Sequence, residues 1–344
     1  MSSTSYAVSA KARAKYGRFL SDRDYANILA CQSVPEVMVY LKSHTHFADA
    51  LSDVNERDVH RGWLENRLRQ FQFSEIDSLC RYDSGISAGV SSYVVEQAQT
   101  EQIIRYLILL NSGATEKFIF QYPAFLSKHA ELDFNRIANA RDYNEFLSAV
   151  EHSSYYEVLK EFSPDEKGRL PVSEIENRLY SRISGHLLEL IENKASGDER
   201  RELTEIFRKL HDYSMVSRII RMKGYYHLSP EVIKRNMQPE YGTLSVKQIE
   251  MMCEAETGED VHKLLRATRY GKLFDRLGYN GEGNIGATVR FRTAKRYLHL
   301  SRNPSVVMLA FILLSNIELE NVISLIEGVR YRVDPKVIES LLIR

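Results

Sequence analysis

Cysteine is scarce: this 344-residue chain has three, Cys31, Cys80 and Cys253, scattered and without C-x-x-C spacing. An odd, dispersed set excludes a disulfide framework and a thiolate zinc site, and it points to a reducing compartment. Net charge is lacking too. The 46 Lys plus Arg balance 46 Asp plus Glu, so there is no global field to draw the chain to nucleic acid or to acidic lipid. Long apolar runs are also missing. The greasiest window, Val306 to Leu314, ends after nine residues at Ser315-Asn316, short of the ~20 that a spanning helix needs, so a buried helix and no direct membrane span are expected. Met1-Ser-Ser-Thr-Ser-Tyr6 leads into no apolar segment, which removes a secretory signal and predicts a cytoplasmic protein. Alternating strand-like pairs are absent, and the fold class expected is all-α.

What the chain does contain is internal similarity. Cys31 to Phe47, moved by about 109 residues, falls on Ala140 to Tyr156, and about 114 more brings it to Glu254 to Tyr270. In that register Glu36, Glu145 and Glu259 coincide, as do Met38, Leu147 and Val261, and Leu41, Val150 and Leu264. Thr45, Ser154 and Thr268 follow, each two residues before Phe47, Tyr156 or Tyr270. These are small helical units with a polar start, a carboxylate in the first turn facing the positive helix end, and a hydroxyl-x-aromatic stop. Ser33-Val-Pro-Glu36 also reads as a capping box.

A second repeat is a longer helix ending in paired aliphatics and a glycine. Leu109-Leu110 precedes Gly113, Ile219-Ile220 precedes Gly224, and Leu325-Ile326 precedes Gly328. Two tails continue alike, since Leu228-Ser-Pro-Glu-Val-Ile233 resembles Val333-Asp-Pro-Lys-Val-Ile338, each placing proline where a helix can begin. The chain therefore divides into three helical modules, residues 1–113, 114–225 and 226–344 with approximate limits. Equivalent faces burying against one another would close them with pseudo-threefold symmetry into a ring or funnel.

Taken in order, helices are expected over 6–20, 57–79, 94–110, 175–194, 202–222, 293–299 and 305–327 from apolar spacing. The loops between them include Ser84 to Gly89, a proline-bearing break from Ser163 to Pro171, and a glycine-rich stretch from Gly278 to Gly286.

Two literal catalytic motifs fail their context. Gly281-Glu-Gly-Asn-Ile-Gly286 spells GxGxxG but follows no apolar strand and has no acidic residue about 20 positions beyond, so it reads as a linker. Gly85-Ile-Ser87-Ala-Gly89 spells GxSxG without the buried strand a nucleophile elbow requires, and reads as a turn between helices. His44, His46 and His60 have no HExxH pair and no carboxylate at helical spacing, and read as an exposed loop. Arg290, Arg292, Lys295 and Arg296, interleaved with Phe291 and Tyr297, form the best basic-aromatic patch; in a neutral chain they read as a solvated helix face. No catalytic, cofactor-binding or metal-binding residue is assigned, and an interaction role follows.

Tyr6 to Leu20 with Ser21-Asp-Arg-Asp-Tyr25, the stops at Leu41 to Phe47 and Leu264 to Tyr270, and Ile317-Glu-Leu-Glu-Asn-Val-Ile-Ser-Leu-Ile326, in this order over the full length, resemble the C subunit family of bacterial and archaeal V/A-type rotary ATPases, whose eukaryotic counterpart is the V-ATPase d subunit. Glu327 stands where the family commonly has a basic residue, and Ser214 near a usual asparagine. The resemblance implies a funnel-shaped, non-catalytic part of the rotor that takes no cofactor. It would sit peripherally on the cytoplasmic face, receive the central shaft subunits and rest on the membrane proteolipid ring, coupling ATP hydrolysis or synthesis to proton or sodium transport. A free helical-repeat adaptor, holding a protein partner in its concave face, is the alternative reading.

Overall fold

The computed structural model describes residues 3–54, 59–80, 86–120, 131–224, 227–272 and 285–344. It is 76% helix, and no strand occurs among the described residues. In chain order the α-helices are α1 (Ser3–Tyr16), α2 (Asp22–Leu29), α3 (Val34–His44), α4 (Ala48–Leu51), α5 (Arg61–Cys80), α6 (Ile86–Asn111), α7 (Phe134–Asn139), α8 (Tyr143–Val150) and α9 (Tyr156–Leu159). They continue with α10 (Val172–Lys194), α11 (Gly197–Gly224), α12 (Pro230–Arg235), α13 (Val246–Glu254), α14 (Gly258–Arg266), α15 (Ile285–Leu300), α16 (Pro304–Tyr331) and α17 (Pro335–Leu341). Every long helix expected from apolar spacing is present. Most run beyond the expected ends, because polar caps and fraying turns extend a helix past its apolar stripe.

Two compact units form: Met1–Ser87 with Lys194–Arg344, and Ala88–Asn193. The larger is organised on α16. Its mean hydropathy of 1.8 over an 18-residue window meets the length and composition of a membrane span, but 78% of that window is buried in the unit. A helix apolar on all sides needs neighbours on all sides, and α16 has them in α1, α3, α5, α11, α15 and α17. Counting uninterrupted apolar residues missed this, because Ser315, Glu318 and Asn321 interrupt the run yet are themselves buried.

In the smaller unit, Tyr106 and Phe146 stack at 4.9 Å, and Tyr106 meets Phe118 edge-on at 5.5 Å. The Tyr106 hydroxyl donates to the Ala140 carbonyl at 3.0 Å, so the buried phenol keeps a partner. Burial pushes its pKa up to about 12, as it does for Tyr143.

The short units share a local design. Two brief helices follow one another in α2–α3, α7–α8 and α13–α14, and each second helix starts at an oxygen-bearing cap. Ser33 accepts from the Glu36 amide, Asp142 from Asn144 and Glu145, and Thr257 from Asp260. Each stop is a hydroxyl folded onto the preceding helical turn: Thr45 donates to the Leu41 carbonyl, Ser153 to Val150, and Thr268 to Leu265, at 2.6 to 2.7 Å. The same oxygens accept the amides of Phe47, Tyr155 and Tyr270, whose rings are buried.

The register inferred from sequence therefore slips by one residue in places. Ser153 and Tyr155 do the work assigned to Ser154 and Tyr156, and Asp260 and Leu265 that assigned to Glu259 and Leu264. In Ser153-Ser-Tyr-Tyr156 both spacings are spelled, and only burial chooses between them.

The long helices α6, α11 and α16 are each followed by a residue in the left-handed region: Gly113 (φ 66°), His227 (φ 51°) and Arg332 (φ 54°). Beyond these, Ala114 donates to Leu109, Leu228 to Met222 and Val333 to Gly328, at 2.9 to 3.1 Å. The glycines expected as stops are only partly so. Gly113 takes the left-handed position, whereas Gly328 lies inside α16, where a Cβ would come within 2.3 Å of the Ile338 side chain of α17. Its role is close helix packing.

Candidate functional site

The two literal catalytic motifs fall only partly within the described residues. Ser87 and Gly89 lie in the first turn of α6, and a Cβ on Gly89 would meet the Leu190 side chain of α10 within 2.3 Å, so this glycine admits a helix instead of shaping a nucleophile elbow. Of the turn expected from Ser84 to Gly89, residues 86–89 are helical instead, and Ser84 and Gly85 lie outside the described residues. So do residues 281–284 of the GxGxxG stretch, while Ile285 and Gly286 open α15.

His60 lies exposed outside any helix, as expected, whereas His44 and His46 correct the expectation. His44 ends α3, stacked on Tyr40 at 4.8 Å, and His60 accepts the Trp63 amide at 3.3 Å. His46 is not in an exposed loop. It is sandwiched between Phe19 and Phe47 with Nε2 3.4 Å from Glu318. Among the described residues no group of three or more His, Cys, Asp or Glu is placed to hold a metal.

Among the buried polar groups, Glu318, Asn321 and Asp212 staple the fold. Glu318 on α16 accepts the Leu20 amide at 2.8 Å, which fixes the turn after α1. Asn321, one turn on, donates to the Ile343 carbonyl at 2.8 Å and accepts its amide at 3.0 Å, so one side chain pairs the C-terminal tail as a strand would. Asn321→Ala is expected to destabilise by about 1–3 kcal/mol by leaving both backbone groups unpaired. Hydrogen exchange at the Ile343 amide, fast in the variant and slow in the parent, checks it.

Asp212 carries the densest network. Wholly buried on α11, its carboxylate accepts the Thr243 amide at 3.0 Å on both oxygens, the Leu244 amide at 3.2 Å, and the hydroxyls of Thr243 and Tyr270. Burial first, and then the Asp212 carboxylate, raise the Tyr270 pKa, against a smaller downward pull from the Thr243 hydroxyl. A Cβ on Gly242 would approach Asp212 Oδ1 to 2.0 Å, so the loop is glycine where it wraps the acid. Sequence reasoning missed Asp212, although an aspartate in the apolar stripe between Leu210 and Tyr213 was the available signal. Nothing about this acid is poised for chemistry, because its lone pairs already face structural donors.

The departures from family pattern also settle. Glu327 forms an ion pair with Arg61, which also contacts Glu65 at 3.3 Å, and Ser214 is exposed.

Among the exposed residues, one apolar pair recurs. After the left-handed residues His227 and Arg332, proline-started α12 and α17 bury Ile233 and Ile338 but present Leu228 (37% exposed) and Val232 (40%), and likewise Val333 (38%) and Val337 (51%). Each short helix starts at a proline that follows a left-handed residue, and the same pair faces solvent twice.

Capped helical repeats, polar networks committed to structure and recurring exposed apolar pairs define an all-α scaffold suited to binding. A family model described as ATP synthase (C/AC39) subunit matches residues 8–341. The chain thus belongs to this ATP synthase subunit family, whose members are structural and not catalytic subunits of rotary ATPases. It is 22% identical over 272 residues to the C subunit of the A-type ATP synthase of Methanosphaera stadtmanae, an alignment covering 77% of this chain and 66% of that protein.

Proposed function

We propose that the chain is the central-stalk socket of a V/A-type rotary ATPase, linking the rotor shaft to the membrane proteolipid ring. It would thereby couple ATP hydrolysis or synthesis in the soluble head to proton or sodium transport, from a peripheral position on the cytoplasmic face. The observation that carries this reading is the family match over nearly the whole chain. Two features of the molecule support it. The buried polar groups described above serve the fold, as a torque-bearing part requires, since movement within a linker would absorb rotation. The Leu228/Val232 and Val333/Val337 pairs suit a partner that offers the same surface repeatedly, as a ring of identical subunits does.

The division into three modules, 1–113, 114–225 and 226–344, closed about a pseudo-threefold axis as a funnel, belongs to the same proposal. The matched stops at Gly113, His227 and Arg332 support it. The test is a pull-down of the tagged chain from gently solubilised membranes with partners identified by mass spectrometry. Joint recovery of proteolipid and shaft subunits is the expected result. A soluble monomer, or an unrelated protein held alone, would overturn it in favour of a free adaptor.

A further inference from the structure

The basic-aromatic patch on α15 separates into two faces. Val289, Thr293, Ala294, Tyr297 and Leu298 are buried, and Arg290 leaves the exposed set by pairing with Glu320 on α16. Arg292, Lys295, Arg296 and His299 occupy positions i, i+3, i+4 and i+7 of the outward face, with Arg302 just past the helix end, all exposed. Among the described residues, no carboxylate oxygen lies within 4 Å of a charged nitrogen of any of them. Elsewhere Arg67 pairs with Asp53, Arg178 with Glu161, Lys234 with Glu254 and Arg344 with Glu339, while exposed cations such as Arg332 and Lys336 stand singly; what sets this face apart is that its cations follow one another along one stripe of one helix.

Three acids of the neighbouring helix α11 are already engaged. On α11, Glu199 accepts from the Ser305 hydroxyl at 2.6 Å, Glu202 from Ser301 at 2.6 Å and from Asn303 at 2.8 Å, and Glu205 bonds the Tyr297 hydroxyl. Arg13 adds a further cation at the helix end, where it donates to the carbonyls of Leu298 and Ser301 at 2.7 to 2.8 Å. A chain with no net charge thus concentrates unpaired cations on one rigid helix, held by both α11 and α16.

We infer that this face docks an acidic helical surface of another protein of the complex, one that presents carboxylates at the matching i, i+3, i+4, i+7 spacing. Guanidinium groups on a fixed helix bind carboxylates bidentately, and complementary charge gives register and fast association. A lipid surface fits less well. Leu300 is the large apolar side chain left exposed on this helix, which is little to insert into a bilayer, and the helix's own apolar face is occupied by the protein core. The choice of complex rests on the rotary-ATPase reading; the charge matching does not.

The test uses the full chain and its triple variant R292E/K295E/R296E, all three positions being exposed, with circular dichroism showing that both fold. Membranes stripped of the chain are the first probe. At low salt the variant is expected to need about ten-fold more protein for half-maximal rebinding. The gap should close as salt screens exposed charge over a Debye length of about 10 Å at 0.1 M and less above it. The R292K/R296K protein keeps the charge but loses the bidentate fork, and should fall between the parent and the triple variant. A synthetic helix carrying glutamate at i, i+3, i+4 and i+7 is the second probe, followed by fluorescence anisotropy, and should bind the parent and not the variant. Equal rebinding of parent and triple variant at low salt overturns the inference. So does binding of the parent to protein-free vesicles of equimolar phosphatidylcholine and phosphatidylglycerol as tight as to stripped membranes, which would assign the face to lipid. Failure of the parent to rebind membranes while still binding the acidic helix would sink the rotary-ATPase reading and leave the charge matching standing; failure with both probes overturns this inference too.

Discussion

Asp212→Ala is expected to destabilise the larger unit by about 3–5 kcal/mol. The carboxylate receives the amides of Thr243 and Leu244 and the hydroxyls of Thr243 and Tyr270, all in its buried surroundings. Each buried donor left unpaired costs about 1–3 kcal/mol, and the sum is reduced because water reaches part of the vacated space. Asp212→Asn keeps one carbonyl acceptor but turns an N–H₂ group towards donors, so about half the loss is expected. Urea denaturation gives the magnitude, and hydrogen exchange at Thr243 and Leu244 gives the place. A loss below about 1 kcal/mol would mean that the loop before α13 is held by its apolar contacts alone.

Phe146→Ala should cost a comparable amount, about 3–5 kcal/mol, by a different mechanism. Its ring is wholly buried in the smaller unit, stacked on Tyr106 at 4.9 Å and on Tyr143 at 5.8 Å. Truncation removes apolar burial and leaves a cavity that two aromatic neighbours, each anchored through its hydroxyl to a carbonyl, cannot collapse to fill. Since Ala88–Asn193 is a compact unit of its own, lost exchange protection should be confined to those residues. Equal loss along α16 would show that the two units unfold as one.

The helices were legible because their apolar residues recur at helical intervals, and the caps because Ser, Thr and Asp stand three residues before an acid or amide. Residues whose role depends on a distant neighbour were not. Gly328 reads as a helix stop until Ile338 is seen against it, and Asp212 as a surface acid until Gly242 and Thr243 close over it. The left-handed stops at His227 and Arg332 escaped notice for a related reason. Neither residue type advertises a positive φ, and the neighbouring glycines offered a more obvious place. For the exposed faces the limit is physical. Exposure decides which cations of α15 and which aliphatics of α12 and α17 face outward, and exposure is a property of the folded chain.

Coupling is the central claim, and it is measured directly in membrane vesicles stripped of this protein and then given it back. ATP hydrolysis and ion uptake are recorded together, with proton and sodium as alternative ions. Stripped vesicles are expected to hydrolyse ATP without moving ions, and adding the chain is expected to restore transport in proportion to the amount bound. Ion uptake that stays locked to hydrolysis without the chain, or that does not return when the chain rebinds, would contradict it.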